Sequence, residues 1–280
     1  MRTLFFRKLQ ERAVRYLSWL VLAISLGGMF WILTSLVLRG AEAISWEFLT
    51  MPSRPYGLED AGIANALLGT FLITGMAAVL AIPVGIAGGI YLAEFGKTSR
   101  FASVVRFSAN MMMGIPSIVT GLFVYACYVI PTGHFSGFAG SLALALIMYP
   151  VVLRTTEDML SMVPDTQREA ALALGLTRSR TTLAIVCRCA RSGLATGILM
   201  ALARVSGETA PLLFTALWSD SWPTSFFTSP TPNVPVLMTE YTTNSPFAAM
   251  HTAGWGAALV VMAFILALNI IVRVCLRKRT

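Results

Sequence analysis

Residues 63–93 read IANALLGTFLITGMAAVLAIPVGIAGGIYLA, thirty-one positions without one charged side chain. A helix rises about 1.5 Å per residue, so about twenty such residues already cross the hydrocarbon layer of a bilayer. A core helix of a soluble protein would carry a polar face, and this stretch has none. It is a membrane span. Comparable apolar runs lie at about 17–38, 108–130, 138–153, 193–216 and 254–276, which makes six transmembrane helices and an all-α polytopic fold. The composition agrees: 56% of the 280 residues are apolar, 12% are charged, and the mean hydropathy is +0.72. Soluble domains carry about 25% charged residues, so a water-soluble globule is excluded.

The formal charge of +8 follows the membrane and not a nucleic-acid partner, because no soluble domain gathers the basic residues into one surface. Eighteen of the 21 lysines and arginines fall in segments on one side of the spans, against Arg39 and Arg54 on the other, with Arg204 inside a span. The positive-inside rule therefore predicts that both termini face the cytoplasm of a plasma membrane. The run from Leu17 to Leu38 is longer than the apolar segment of a signal peptide and reads as an uncleaved anchor. The external segments 39–62 and 217–253, rich in Pro, Ser, Thr and Trp, read as loops lying on the membrane surface.

Enzyme classes lack their residues. Gly96-Lys97-Thr98 resembles the tail of a phosphate-cradling loop, but six residues separate it from Gly89 where that loop needs four, and it follows a membrane helix instead of a strand. This chain is not expected to hydrolyse ATP. His134 and His251 are single, and Cys187 and Cys189 point to different helix faces, so no metal site is expected. Cys127 and Cys275 add no ladder of paired spacings, which rules out a disulfide framework. No nucleophile elbow of the Gly-x-Ser-x-Gly type occurs. The chain is expected to bind no cofactor of its own.

Charge inside the bilayer is costly, about 2.5–3.5 kcal/mol per residue at a helix centre, and marks function by default. Arg204 and Glu208 stand four apart in the fifth span, one helical turn on the same face, and Pro211 withdraws the amide that would satisfy the carbonyl of Gly207. Either the pair fixes helix register, or it lines a polar pathway together with Ser206 and Thr209. A guanidinium meets a tetrahedral oxyanion through two parallel hydrogen bonds, so the natural cargo of a pathway is an anion. A carboxylate beside it suits an anion that still carries a proton: hydrogen phosphate can donate to Glu208, and fully ionised sulfate cannot. Gly114 and Pro116, followed by Ser117, should interrupt the third span, and irregular backbone at membrane depth survives only in protein or against a wet cavity. That places span three near the pathway. Gly85 with Gly89, and Gly193 with Gly197, allow close helix crossing, within one bundle or at a subunit seam.

Between spans four and five, Thr166 and Glu169 have the spacing of a capping box, the Ala/Leu run continues the helix, and Gly175 is suited to end it before a second helix near Thr177. Such a helix is a solvated connector or, with Ala170 and Ala171 allowing close approach, a docking peg. Glu169-Ala170-Ala171, three residues, Gly175, nine residues, Ile185 resembles the EAA loop of permease subunits in bacterial ABC importers. The resemblance implies that Arg168, Glu169, Ala170, Ala171 and Gly175 dock into an ATP-binding subunit, in a coupling loop at about 164–190. One departure stands out: Cys187-Arg188 replaces the usual Leu-Pro, so the kink that proline would impose is not specified.

The segment Arg204-Val205-Ser206-Gly207-Glu208-Thr209-Ala210-Pro211-Leu212-Leu213-Phe214-Thr215 resembles the signature of the A-type permease subunits of phosphate-specific ABC importers. Tyr91-Leu92-Ala93-Glu94, Gly114-Ile115-Pro116-Ser117-Ile118-Val119, Arg154-Thr155-Thr156-Glu157 and Gly254-Trp255-Gly256-Ala257-Ala258 match as well, so the likeness covers roughly residues 60–275. It implies the type I importer permease fold in a bacterial inner membrane, with residues 1–60 as a peripheral basic segment, helix and loop, and 61–280 as the transport core. It also implies a PstC-like sister permease, a PstB-like ATPase dimer holding ATP and Mg, and a PstS-like external phosphate-binding protein. A permease for sulfate or molybdate, or a membrane sensor of phosphate status, remains open at this point.

Overall fold

The computed structural model describes residues 2–54 and 62–277. The expected domain boundary at 60–61 lies outside the described residues, as do Lys278, Arg279 and the side chains of Arg2, Lys8, Arg273, Cys275 and Arg277. Among the described residues every regular element is helical: α1 (Arg2–Ala41), α2 (Trp46–Thr50), α3 (Ala64–Phe95), α4 (Arg100–Gly114), α5 (Ser117–Thr132), α6 (Gly137–Ser161), α7 (Asp165–Ala173), α8 (Arg178–Ser206), α9 (Ala210–Leu213), α10 (Val234–Thr239) and α11 (Ala248–Arg277). Five helices are long and apolar enough to cross a bilayer, and α4 with α5 makes a sixth, broken span.

That break is sharper than the interruption expected in a single 108–130 span. Proline clashes with a helical residue before it, so Ile115 is pushed to ψ 130°, Pro116 follows at ψ 134°, and the two helices meet at 103°. The fifth span also differs from expectation. It begins at Arg178 instead of 193, running through Cys187-Arg188 with a π turn at Thr182–Val186 in place of a proline kink, and it ends at Ser206 instead of 216.

Lipid is as apolar as leucine, so helices in a bilayer associate through close van der Waals contact and buried hydrogen bonds. The small residues show where. Gly85 and Gly89 of α3 lie against Val152, Leu153 and Thr156 of α6, and Gly193 and Gly197 of α8 lie against Met159 and Thr155 of the same helix. Both spacing-four pairs thus serve packing within the bundle. Ser141 of α6 donates to the Ile73 carbonyl of α3 at 3.1 Å. The most apolar stretch of α6 is accordingly 61% buried, against 28% for α3 and 0% for α1. Ile73 and Ala77 of α3, Leu144 and Met148 of α6, Val205 of α8 and Leu212 of α9 form the core beside the end of α8. α1 meets α11 where Gly40 faces Leu259 and the Trp255 carbonyl, with the Arg39 guanidinium 5.3 Å above the Trp255 ring.

Candidate substrate pathway and coupling site

Arg204 does not sit at a helix centre. It occupies the last turn of α8, which closes on Gly207 (φ −101°, ψ 2°) with Glu208 already beyond it. The expectation of a same-face pair on one continuous helix is therefore corrected, and the break supplies the reason. Gly207 and Glu208 turn back to donate to the carbonyls of Arg204 and Val205 at 3.4 and 3.2 Å, and Pro211 lies in the first turn of α9, where a missing amide costs nothing. The carbonyl end of a helix carries partial negative charge, which offsets part of the cost of holding Arg204 there.

Arg204 Nε and Glu208 Oε1 are 4.0 Å apart, with the arginine side chain 54% exposed and the glutamate 18%. At that length the two attract without a hydrogen bond between them, so the guanidinium donors are not spent on the carboxylate. Ser206 donates to the Leu202 carbonyl at 2.7 Å, which commits its proton to its own helix and leaves only acceptor capacity. Thr209 precedes α9 without a side-chain cap. Gly121 of α5 abuts Pro211, bringing the helix that follows the Pro116 break against the one that follows the Gly207 break. Gly114 and Pro116 are exposed, and Ser117 is half-buried. The cavities beside α11 are apolar and are lined by Ser206 or Gly207 but not by Arg204 or Glu208. The charged pair thus lies outside both cavities, with the arginine exposed.

The loop after α6 forms α7, starting two residues earlier than the capping box predicts. Pro164 takes the extended N-cap conformation (ψ 141°) with no side-chain cap, and its carbonyl accepts from Gln167 at 3.2 Å. Thr166 is thereby inside the helix and cannot cap it, while Asp165 places negative charge on the first turn. The far end follows expectation: Gly175 adopts φ +82°, Gly175 donates to the Leu172 carbonyl at 2.9 Å and Leu176 to that of Ala171 at 3.3 Å, a complete Schellman cap. Thr177 then caps α8 by accepting from the Arg180 amide. Glu169 and Ala170 are exposed and Ala171 is buried, with Leu172 (46%) and Leu174 (84%) exposed beside them.

The description "binding-protein-dependent transport system inner membrane component" matches residues 85–280. The chain belongs to that permease family. Among its relatives, the phosphate transport system permease protein PstA of Haemophilus influenzae is 43% identical, covering 96% of this chain and 94% of the relative. PstA of Yersinia pestis is 43% identical over 98% and 92%, and PstA 1 of Mycobacterium tuberculosis 37% over 86% and 79%. A chain from the inward-facing MetNI methionine ABC transporter superposes with a TM-score of 0.59 at 19% identity, covering 75% of this permease and 92% of that chain, which shows the ABC importer permease fold. A component of such a system is a multi-pass membrane protein that works with an ATPase and a binding protein, and is not itself an enzyme.

The permease also brings charged residues together in ways that sequence reasoning did not foresee. Glu94, 6% exposed at the end of α3, receives Arg168 of α7 at 2.7 Å, and the same guanidinium donates to the carbonyls of Leu160 at 2.8 Å and Val163 at 2.5 Å. Hydrogen bonding to Glu94 raises the Arg168 pKa above its ordinary value, against the opposing effect of burial. Glu157 of α6 holds Arg106 of α4 at 2.5 Å and Arg154 of its own helix. Their signal in the sequence was a carboxylate closing an uncharged run at Glu94 and a charged cluster closing another at 154–158.

Proposed function

We propose that the permease is one of two membrane subunits of an ATP-driven importer of inorganic phosphate. The observation that carries this reading is the exposed Arg204 guanidinium at a broken helix end, close enough to Glu208 to share a ligand and too far to be consumed by it. Phosphate replaces its lost hydration with two parallel N–H···O bonds from Arg204 and, when protonated, donates to Glu208. Ser206 and Thr209 border the same site, and the breaks at Gly114, Pro116, Ser117 and Pro211 let the wall flex around it. The likeness to PstA proteins of phosphate transport systems supports phosphate as the cargo.

One arginine offset by one glutamate leaves little net charge for an almost divalent anion, and the pair lies open to a neighbour, so a PstC-like sister permease completes the pathway. The α7 loop docks through Glu169, Ala170 and Gly175 into a PstB-like ATPase dimer, which holds ATP and Mg, while Arg168 and Ala171 of the same loop anchor it to the permease, and a PstS-like protein delivers phosphate from outside. Both termini face the cytoplasm of the bacterial inner membrane, as the basic residues direct. Arg204→Ala should abolish uptake of labelled phosphate while the subunits still co-purify. Uptake at the wild-type rate would refute the assignment of the pathway.

A further inference from the structure

The last turn of α3, Tyr91–Phe95, is a π turn: Gly96 donates to the Tyr91 carbonyl five residues back at 2.7 Å. Three successive residues within it are buried, Leu92 at 0%, Ala93 at 2% and Glu94 at 5% exposure. π turns are uncommon and cluster at functional positions in helices. Here both ends of the turn are gripped by arginines from different elements. Arg168 of α7 holds Glu94 with Nη2 at 2.7 Å and Nε at 3.1 and 3.2 Å from the two carboxylate oxygens. Arg106 of α4 donates through Nη2 to the Leu92 carbonyl at 2.9 Å while its Nε holds Glu157 on the central helix.

We infer that Glu94 is a positioning residue through which the π turn passes movement of α7 to α4, and so to the Ile115–Pro116 break at the far end of that helix. The inference rests on the docking role proposed for α7. A push on α7 cannot leave Glu94 behind without stripping a nearly buried carboxylate of its charged partner, which is costly at that depth. Displacing Glu94 displaces the Leu92 carbonyl two residues away, and with it Arg106. α4 then pivots between that grip and Glu157, which belongs to the most buried helix and resists motion. The route joins the Arg168–Glu94 ion pair to the Arg106–Leu92 hydrogen bond through the backbone of one turn, and that turn has an alternative, the ordinary α geometry.

The test uses the complete transporter in lipid vesicles, with labelled phosphate uptake and ATP hydrolysis measured on the same preparation. Glu94→Gln should leave the assembled complex hydrolysing ATP while phosphate moved per ATP falls roughly fivefold or more. Glu94→Asp, which keeps the charge on a shorter arm, should recover part of that ratio. A merely structural role would lower yield and both rates together, and a wild-type ratio in Glu94→Gln overturns the inference. If Glu94→Gln does not assemble, Arg106→Lys, which keeps the charge but loses the simultaneous hold on the Leu92 carbonyl and Glu157, must show the same fall or the inference fails. Wild-type vesicles that hydrolyse ATP and take up no phosphate would instead overturn the transport reading on which it rests.

Discussion

Arginine in the last turn of a membrane helix meets the carbonyl end of that helix, whose partial negative charge lowers the cost of a cation there. Arg204 is held in this way, and Glu208, 4.0 Å away, is not hydrogen-bonded to it, which on the proposed reading leaves the carboxylate for a ligand. A carboxylate 4.0 Å from the guanidinium repels a fully ionised anion and accepts from a protonated one. Glu208→Gln removes the repulsion and keeps one acceptor, so unlabelled sulfate should compete with labelled phosphate roughly tenfold better, the worth of about one charged hydrogen bond. Unchanged competition would remove Glu208 from selectivity. The chemistry of these residues was legible because charges inside an apolar run are rare. Their geometry was not: the run continues past Gly207 to Phe214, and hydropathy does not register that α8 has ended.

Among the elements, proline and positive-φ glycine left readable marks, and π turns left none. Pro116 announced the α4–α5 break and Gly175 the end of α7, because proline restricts the backbone of the residue before it and glycine takes the positive φ that other residues resist. The π turns at Tyr91–Phe95 and Thr182–Val186 insert a residue without a change of composition, so the period of apolar residues does not reveal them. The capping box failed for a related reason: Pro164 was already extended and opened the helix before Thr166 could. The spacing-four glycines left their purpose open in the sequence, and their neighbours decide it. Gly197→Leu drives a side chain into Thr155 of α6, an overpacking that costs about 1–3 kcal/mol. The melting midpoint of the chain purified in detergent should therefore fall by at least about 3 °C. Gly27→Leu, at a position with nothing within 4 Å, should leave that midpoint where it was. Equal midpoints for both variants would mean that α6 and α8 do not pack through this glycine.

Across the whole molecule, apolarity does not track burial. The most apolar stretch of α1, at a mean hydropathy of 2.2, has nothing buried, while that of α6 at 1.6 is 61% buried and that of α8 at 1.4 only 22%. A helix that faces lipid must be apolar all round, whereas one enclosed by protein can carry Gly140, Ser141, Thr156 and Glu157. Hydropathy therefore gave the class and the number of spans, and it could not rank the helices from centre to edge. The same enclosure appears at the end of the bundle away from Arg168, where three separate segments meet. Asn65, fully buried, donates to Ser53 Oγ at 2.8 Å and to the Asp220 carbonyl at 3.1 Å, and accepts from the Ser53 amide at 2.9 Å. Burial raises the pKa of the Asp220 carboxyl, with Glu240 adding to the rise and a hydrogen bond from Ser53 opposing it. A raised carboxyl pKa means that the folded molecule holds this proton at a pH where the unfolded chain has lost it. Stability from this group is thus greatest below the ordinary value of 3.8 and falls as pH rises through the raised one. At neutral pH the carboxylate opposes the fold. Asp220→Asn keeps an acceptor for Ser53 and removes the charge, so the melting midpoint should rise at pH 7, and the gain should shrink as pH falls toward 4 in a thermal series. A gain that stays constant over that range would mean that the charge of Asp220 is not what strains the junction of these three segments.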